Sequence, residues 1–233
     1  MTTQRQKTIT SARQLTAAAN ALSEQCKVMR AIYAQTGTPP LRDFTADFSG
    51  LAKIVTGQQL SAASAAAIWN RVGPAITPFD AKSIRRMPDA GLAALGLSGA
   101  KIRTLKAIAT AILDDGLNIP ALVHAPDAIV IERLTALHGI GPWTADIYLL
   151  FALRRADAFA PGDLALQLAV QRLFDLKERP SPVKLEAIAE RWRPWRGAAA
   201  RLLWAEYGLN RAKPPKKIAK STPETPKRRG SRE

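Results

Sequence analysis

The sequence predicts an all-α fold, its helices grouped into two subdomains that flank a cleft. Three observations carry this reading. Alanine, leucine and isoleucine dominate the apolar residues. The Val/Thr alternation of a strand is nearly absent. Proline, glycine and capping residues punctuate the chain at helix-like intervals. With 233 residues and 47% hydrophobic content, the chain can bury a real core, as one domain or as two small ones sharing a cleft.

The first helix is expected over Thr10–Gln35, stopping before Gly37 and Pro39-Pro40. The second covers Leu51–Arg71, with Ile54, Val55, Ile68 and Trp69 as apolar positions, and is closed by Gly73-Pro74. Asp80 or Ser83 caps a short helix that ends before Pro88. Pro88 opens another, and Gly96-Leu97-Ser98-Gly99 turns the chain into Ala100–Asp114. After Pro126 come Asp127–Leu137, a His-Gly-Ile-Gly turn and Pro142–Arg154. A loop ending at Asp163 leads to Leu164–Phe174. The last two helices are Val183–Arg193, broken by Pro194, and Trp195–Tyr207, ended by Gly208.

The formal net charge is +15 and the isoelectric point is near 10.5. Such a charge repels itself within a compact fold and points to a polyanion, nucleic acid before an acidic membrane. From Arg211 onward, nine Lys/Arg stand against Glu224 and Glu233, with several prolines and almost no apolar residue. That is the composition of a disordered basic tail, serving either as a phosphate attractor or as a solubiliser. Cys26 is the one cysteine, so an internal disulfide and a cysteine-ligated zinc or iron–sulfur site are both excluded. The first ten residues lack a signal-peptide core, and no apolar run approaches the roughly 20 residues of a bilayer span. The expectation is a soluble protein of a reducing compartment.

The stretch LTALHGIGPWTADIYLLFAL carries the most chemistry. Gly139 and Gly141 permit a tight turn, and Pro142 suits the first helical position, where an N–H would be unpaired anyway. The turn then presents amides at the positive end of a helix, a seat for a DNA phosphate involving Gly139, Ile140, Gly141 and Thr144. Its carbonyls, residues 137–141, could also hold a monovalent cation. An earlier segment, LAALGLSGAKIRTLKAIA, has a related shape followed by Lys101 and Arg103; it is either a second phosphate contact or a structural turn.

About twenty residues past the hairpin stands Asp163. It reads as a helix N-cap, and the loop 155–162 can bring it back toward the hairpin. Capping and catalysis are compatible, because a capping carboxylate is held rigid at the helix end. Asp146 and Asp157 read as a helix-surface charge and a loop charge.

Helix, L-x-G-I-G-x-W-T-A, helix, then a Gly/Pro-rich loop ending in Asp resembles the helix-hairpin-helix, Gly/Pro…Asp superfamily of DNA glycosylases. Within it the chain is most similar to the 3-methyladenine DNA glycosylase II type. IVTGQQLSAASAAAIWNR, GLSGAKIRTLKAIA, LHGIGPWTADIYLLFAL, FAPGDLALQLAVQRL and RWRPWRGAAARLLWAEYG carry the resemblance over about residues 50–208. It implies that Asp163 is the catalytic aspartate and that Trp143 stands where lyase relatives place a Schiff-base lysine. Trp204, with Trp143 and Tyr148, would line the base pocket; on the residues alone these could equally be core. Gln58 or Gln59 would wedge into the duplex where relatives use leucine. Lys101 and Arg103 would hold phosphates. Ile147 stands where well-known relatives have tyrosine, Leu164 follows the aspartate instead of tyrosine, and the β-rich N-terminal domain of some members has no counterpart.

The resemblance implies a monofunctional enzyme of base excision repair that flips alkylated purines (3-methyladenine and 7-methylguanine type) and hydrolyses the N-glycosidic bond. The alternatives are a non-catalytic DNA-binding module or a bifunctional glycosylase/lyase. The expected partner is damaged double-stranded DNA, bound by a monomer without cofactor or iron–sulfur cluster. The expected location is a bacterial cytoplasm at the nucleoid, or a nucleus. The expected organisation is a flexible N-terminus 1–10, a subdomain of 11–50 plus 155–210, a central subdomain 51–154 carrying the hairpin 128–154, and the tail 211–233.

Overall fold

The computed structural model describes residues 7–42 and 44–210, so the basic tail and its expected disorder lie outside the described residues. It contains twelve α-helices and, among the described residues, no strand beyond one isolated bridge between Thr8 and Arg155. The all-α expectation holds.

Local chemistry explains the helix starts. α1 (Ala12–Gln25) opens with a reciprocal capping box between Ser11 and Gln14. α3 (Phe48–Gly57), α4 (Ala62–Ala75), α5 (Ala81–Arg86) and α7 (Gly99–Leu113) are capped by Asp47, Ser61, Asp80 and Ser98 side chains. α11 (Pro182–Ala189) has Ser181 as its cap and proline at its first position. Of the two caps considered for α5, the structure uses Asp80.

Several boundaries differ from the expected ones. The first long helix is broken at Cys26, an extended residue, into α1 and α2 (Lys27–Thr36). The second is broken by the turn 58–61 into α3 and α4, with Gln59 at φ 57. Gly73-Pro74 does not close α4, and Gly208 does not end α12 (Arg196–Asn210). α11 passes at its end into a 3-10 turn, Glu190–Trp192, and another such turn, Pro120–His124, follows α7. α9 (Pro142–Ile147) continues as a π-helix, Tyr148–Ala152, a widening that periodicity does not reveal.

Two neighbourhoods form. α12 packs on α1, α2 and α10 (Leu164–Leu173), while α7 packs on α3, α5 and α6 (Asp89–Ala94). α3 lies against α9, which also packs on α8 (Asp127–Thr135). Between them runs the segment 153–160, an extended loop largely buried in the core. Arg155, only 6% exposed, fixes it by donating to the carbonyls of Val123 and Ala125 and pairing with Asp127 at 3.2 Å. Lys7–Thr10 belongs to the same seam, which corrects the reading of this stretch as flexible. Ile9 is buried, its amide donates to Arg154 at 2.8 Å, and the Lys7 carbonyl accepts from Ala156.

The two loop and helix acids also need correction. Asp157 is not a lone loop charge but pairs with Arg193 and Arg196, the latter also bound by Glu186 and Glu190. Asp146 is half-buried behind this network, and desolvation, then repulsion from Glu186, raises its pKa to about 7 against the pull of Arg196. The folded pKa exceeds the ordinary 3.8, so between those values the native state keeps a proton that the unfolded chain has released. Stability from this group is therefore lost as pH rises through the window. Asp146→Asn is expected to raise thermal stability at pH 8 by on the order of 1 kcal/mol, and by less at pH 5. Denaturation curves at the two pH values check it.

Candidate active site

Asp163 ends the buried loop and caps α10, its Oδ1 accepting from the Leu166 amide at 3.0 Å. Both indoles expected near it point at the same carboxylate. Trp143 donates from Nε1 to Oδ2 at 2.9 Å, and Trp204 donates to Oδ1 at 2.9 Å. Three elements, the hairpin helix α9, the cap of α10 and the last helix α12, thus converge on one half-buried group. Each oxygen carries a directed donor, so the carboxylate plane is fixed before any ligand arrives.

An aromatic wall continues from Trp204. Its ring stacks on Phe151 at 5.5 Å, and Phe44 stacks on Phe151 at 5.6 Å. Three cations lie on these rings: Arg42 on Phe151 and Trp204, Lys53 on Phe44, and Arg201 on Phe151. Arg201 is 5% exposed and donates to the carbonyls of Gly197 and Leu150. Burial first, then Arg42 and Arg154, lowers its pKa to about 10. Sequence reasoning missed Arg42, Phe44, Phe151 and Arg201. Phe151 sits in an apolar run that reads as plain core, and Arg42 and Phe44 lie in a loop without periodicity. Tyr148 needs correction in the opposite sense: it is fully buried, its hydroxyl has no hydrogen-bond partner among the described residues, and it is not on an open wall. The π-helix turns it inward.

The hairpin turn lies beside this site. Gly139 adopts φ 78, and a Cβ there would fall 1.9 Å from Thr104 Oγ1, so α7 and the turn touch through a space that only glycine leaves. Gly139 and Gly141 are exposed, and among the described residues nothing accepts from their amides. Ile140 and Thr144 prove to be anchors rather than surface contacts. Ile140 is 5% exposed with its amide on the Leu137 carbonyl, and Thr144 is 2% exposed. Gln58 donates to Thr144 Oγ1 at 2.9 Å and to the Gly139 carbonyl at 3.1 Å.

This separates the two glutamines expected as wedges. Gln58 is spent tying the α3–α4 turn to the hairpin, whereas Gln59 and Leu60 are exposed at the tip of that turn. Lys101, expected on phosphate, donates to the Thr56 carbonyl at the end of α3, a favourable place for a cation, at 2.7 Å. Arg103 is exposed. Among the described residues no three His, Cys, Asp or Glu side chains gather to hold a metal, and no helix is long and apolar enough to cross a membrane.

A family model described as "HhH-GPD superfamily base excision DNA repair protein", the abbreviation standing for helix-hairpin-helix and Gly/Pro…Asp, matches residues 52–194. DNA-3-methyladenine glycosylase 1 of Schizosaccharomyces pombe is 36% identical over 166 residues, 67% of this chain and 71% of that one. DNA-3-methyladenine glycosylase 2 of Escherichia coli is 29% identical over 117 residues, 50% of this chain but 38% of that one. A solved structure of the S. pombe 3-methyladenine DNA glycosylase in complex with abasic DNA superposes with a TM-score of 0.75 at 31% identity, covering 81% of this chain and 95% of that one.

Gly139→Ala combines a left-handed backbone with a clash against Thr104 and is expected to cost on the order of 2 kcal/mol. A Thr104→Ala change added to it should restore only part, because the backbone strain remains. Chemical denaturation of the single and double variants measures both effects.

Proposed function

The chain belongs to the helix-hairpin-helix, Gly/Pro…Asp superfamily of base excision DNA repair proteins, and from that membership we propose that it excises alkylated purines by hydrolysis with Asp163 as its catalytic residue. It is a DNA glycosylase that binds DNA. The observation that carries the assignment is the carboxylate of Asp163, oriented by two indole donors and a helix cap beside an aromatic wall.

Base flipping comes first, because C1′ of a stacked nucleotide is out of reach. The exposed amides of Gly139 and Gly141 take a phosphate of the lesion strand, while Gln59, at the tip of its turn, fills the space the base has left. Arg103, exposed on α7 next to the Thr104 that meets the hairpin glycine, adds positive charge. The turn's Leu137 and Gly139 carbonyls each have one protein donor. Each retains a lone pair that a monovalent cation could share with a phosphate.

The C1′–N bond breaks with its electron pair leaving on the base, so an N3- or N7-alkylated purine, cationic while attached, departs neutral. Asp163 stabilises the positive charge that builds on the sugar and directs a water to C1′; the water's proton passes to the carboxylate or to solvent. Trp204 and Phe151 offer electron-rich faces to the cationic base. Trp143 has no amine to form a Schiff base, so the strand is left uncut. The protein acts as a monomer on damaged duplex DNA in the compartment that holds the genome.

Asp163→Asn keeps an acceptor for the cap and should retain DNA binding, while release of 3-methyladenine and 7-methylguanine from methylated duplex falls at least about 100-fold. Borohydride should trap no covalent complex with the unaltered protein. Release undiminished in the variant would remove Asp163 from the chemistry, and a trapped complex would make the enzyme a lyase.

A further inference from the structure

The aromatic face assigned above to the flipped base already carries a planar cation. Arg42 lies between α2 and α3, with Cζ 4.9 Å from the Phe151 ring centre and 5.9 Å from that of Trp204. Trp204 is at the same time bonded to Asp163. Guanidinium and an N-alkylated purine share three properties: both are flat, both spread a positive charge over nitrogens, and both suit an electron-rich ring beside a carboxylate. Desolvation by the neighbouring groups lowers the pKa of Arg42, and the charge of Asp163 works against it by favouring the charged form.

Arg42 is held differently from the other cation on this ring. Arg201 is locked from below by two backbone carbonyls. The Arg42 residue is exposed, in a segment without helix or strand, and its attractive contacts among the described residues are the two rings and the charge of Asp163. Such a group can swing out without unfolding anything.

We propose that Arg42 occupies the seat of the flipped base in the DNA-free protein and thereby selects for cationic bases. The proposal rests on the glycosylase reading for what enters the seat, and on geometry alone for what fills it now. A base that displaces Arg42 forfeits the guanidinium's attraction to the rings and to Asp163. A cationic alkylpurine regains both attractions. A neutral purine regains stacking but not the charge terms, so it is turned away. The apparent affinity of every base is reduced by the fraction of time the seat is filled, and the reduction is offset only for cations.

The test uses the full chain with Arg42→Gln, Arg42→Ala and Arg42→Lys. The first arm needs no catalysis: equilibrium binding of 1-methylquinolinium, a planar organic cation, should tighten on the order of 3- to 10-fold in the Gln and Ala variants and stay within about twofold in Lys. The second arm compares single-turnover release from duplexes carrying one 7-methylguanine or one hypoxanthine. The preference for 7-methylguanine should fall on the order of 3- to 10-fold in the Gln and Ala variants. The cationic base already fills the seat against Arg42 and gains little rate, whereas the neutral base fills it only once Arg42 is gone. Unchanged cation affinity together with unchanged preference overturns the proposal. So does slower release of both bases, which would make Arg42 a DNA contact. If the unaltered protein releases no base while the first arm behaves as expected, the seat assignment stands and the glycosylase reading falls.

Discussion

Asp163 is the point on which the architecture depends. A carboxylate has few ways to be held rigid beside an apolar wall without losing its charge to a neutralising ion pair. Here two indole N–H groups and one backbone amide direct it, with no such partner in hydrogen-bond contact among the described residues. The two indoles come from residues 20 and 41 positions away along the chain. Their convergence needs α9, the 153–160 segment, α10 and α12 all in register. The buried ties of that segment, Arg155 to two carbonyls and Gly197 to Ala156 at 2.8 Å, belong to the same requirement. A Cβ at 197 would meet the Ala156 carbonyl oxygen at 2.8 Å, so α12 approaches as closely as a backbone allows.

The hairpin obeys a second constraint of the same type. Its amides can face outward because its side chains face inward: Ile140 is buried, and Thr144 is occupied by Gln58. Gln58 ties the α3–α4 turn to the hairpin, and Lys101 ties the end of α3 to α7. The tip bearing Gln59 is therefore placed relative to the hairpin turn by hydrogen bonds and not by loop length. Hairpin turn, tip and carboxylate thus form one assembly, joined through Gln58 and through Trp143 of α9.

Charge is distributed with the same economy. A protein of net +15 would be expected to keep its cations on the surface, yet Arg155, Arg196 and Arg201 are buried or nearly so. Arg155 and Arg196 meet carboxylates, whereas Arg201 meets two carbonyls and the face of Phe151, its Nε without a hydrogen-bond partner among the described residues. Burying a charge is costly unless it is bonded on all sides. Arg155 and Arg196 thereby pin the non-helical segment 153–160, while Arg201 joins α12 to the π-helix.

Much of this was legible in the sequence, because it follows from local chemistry. Ser, Asp and Pro at helix starts fixed most of the elements, and the glycines and proline of HGIGP fixed the hairpin. Asp163 was recognisable as a cap that faces a hairpin. Tertiary contact decided the rest. Whether Tyr148 or Phe151 faces the site depends on a π-turn that shifts the helix phase, which a 3.6-residue pattern cannot contain. Gln58 and Gln59 are neighbours of one type, and only the hairpin's packing makes one a tie and leaves the other exposed. Arg42 lies in a loop with no repeat to read, so only the folded rings reveal its partners. Sequence determines what each residue offers its immediate neighbours along the chain. Which distant group receives that offer is set by the packing of helices, because the energy of such a contact exists only after the helices have met.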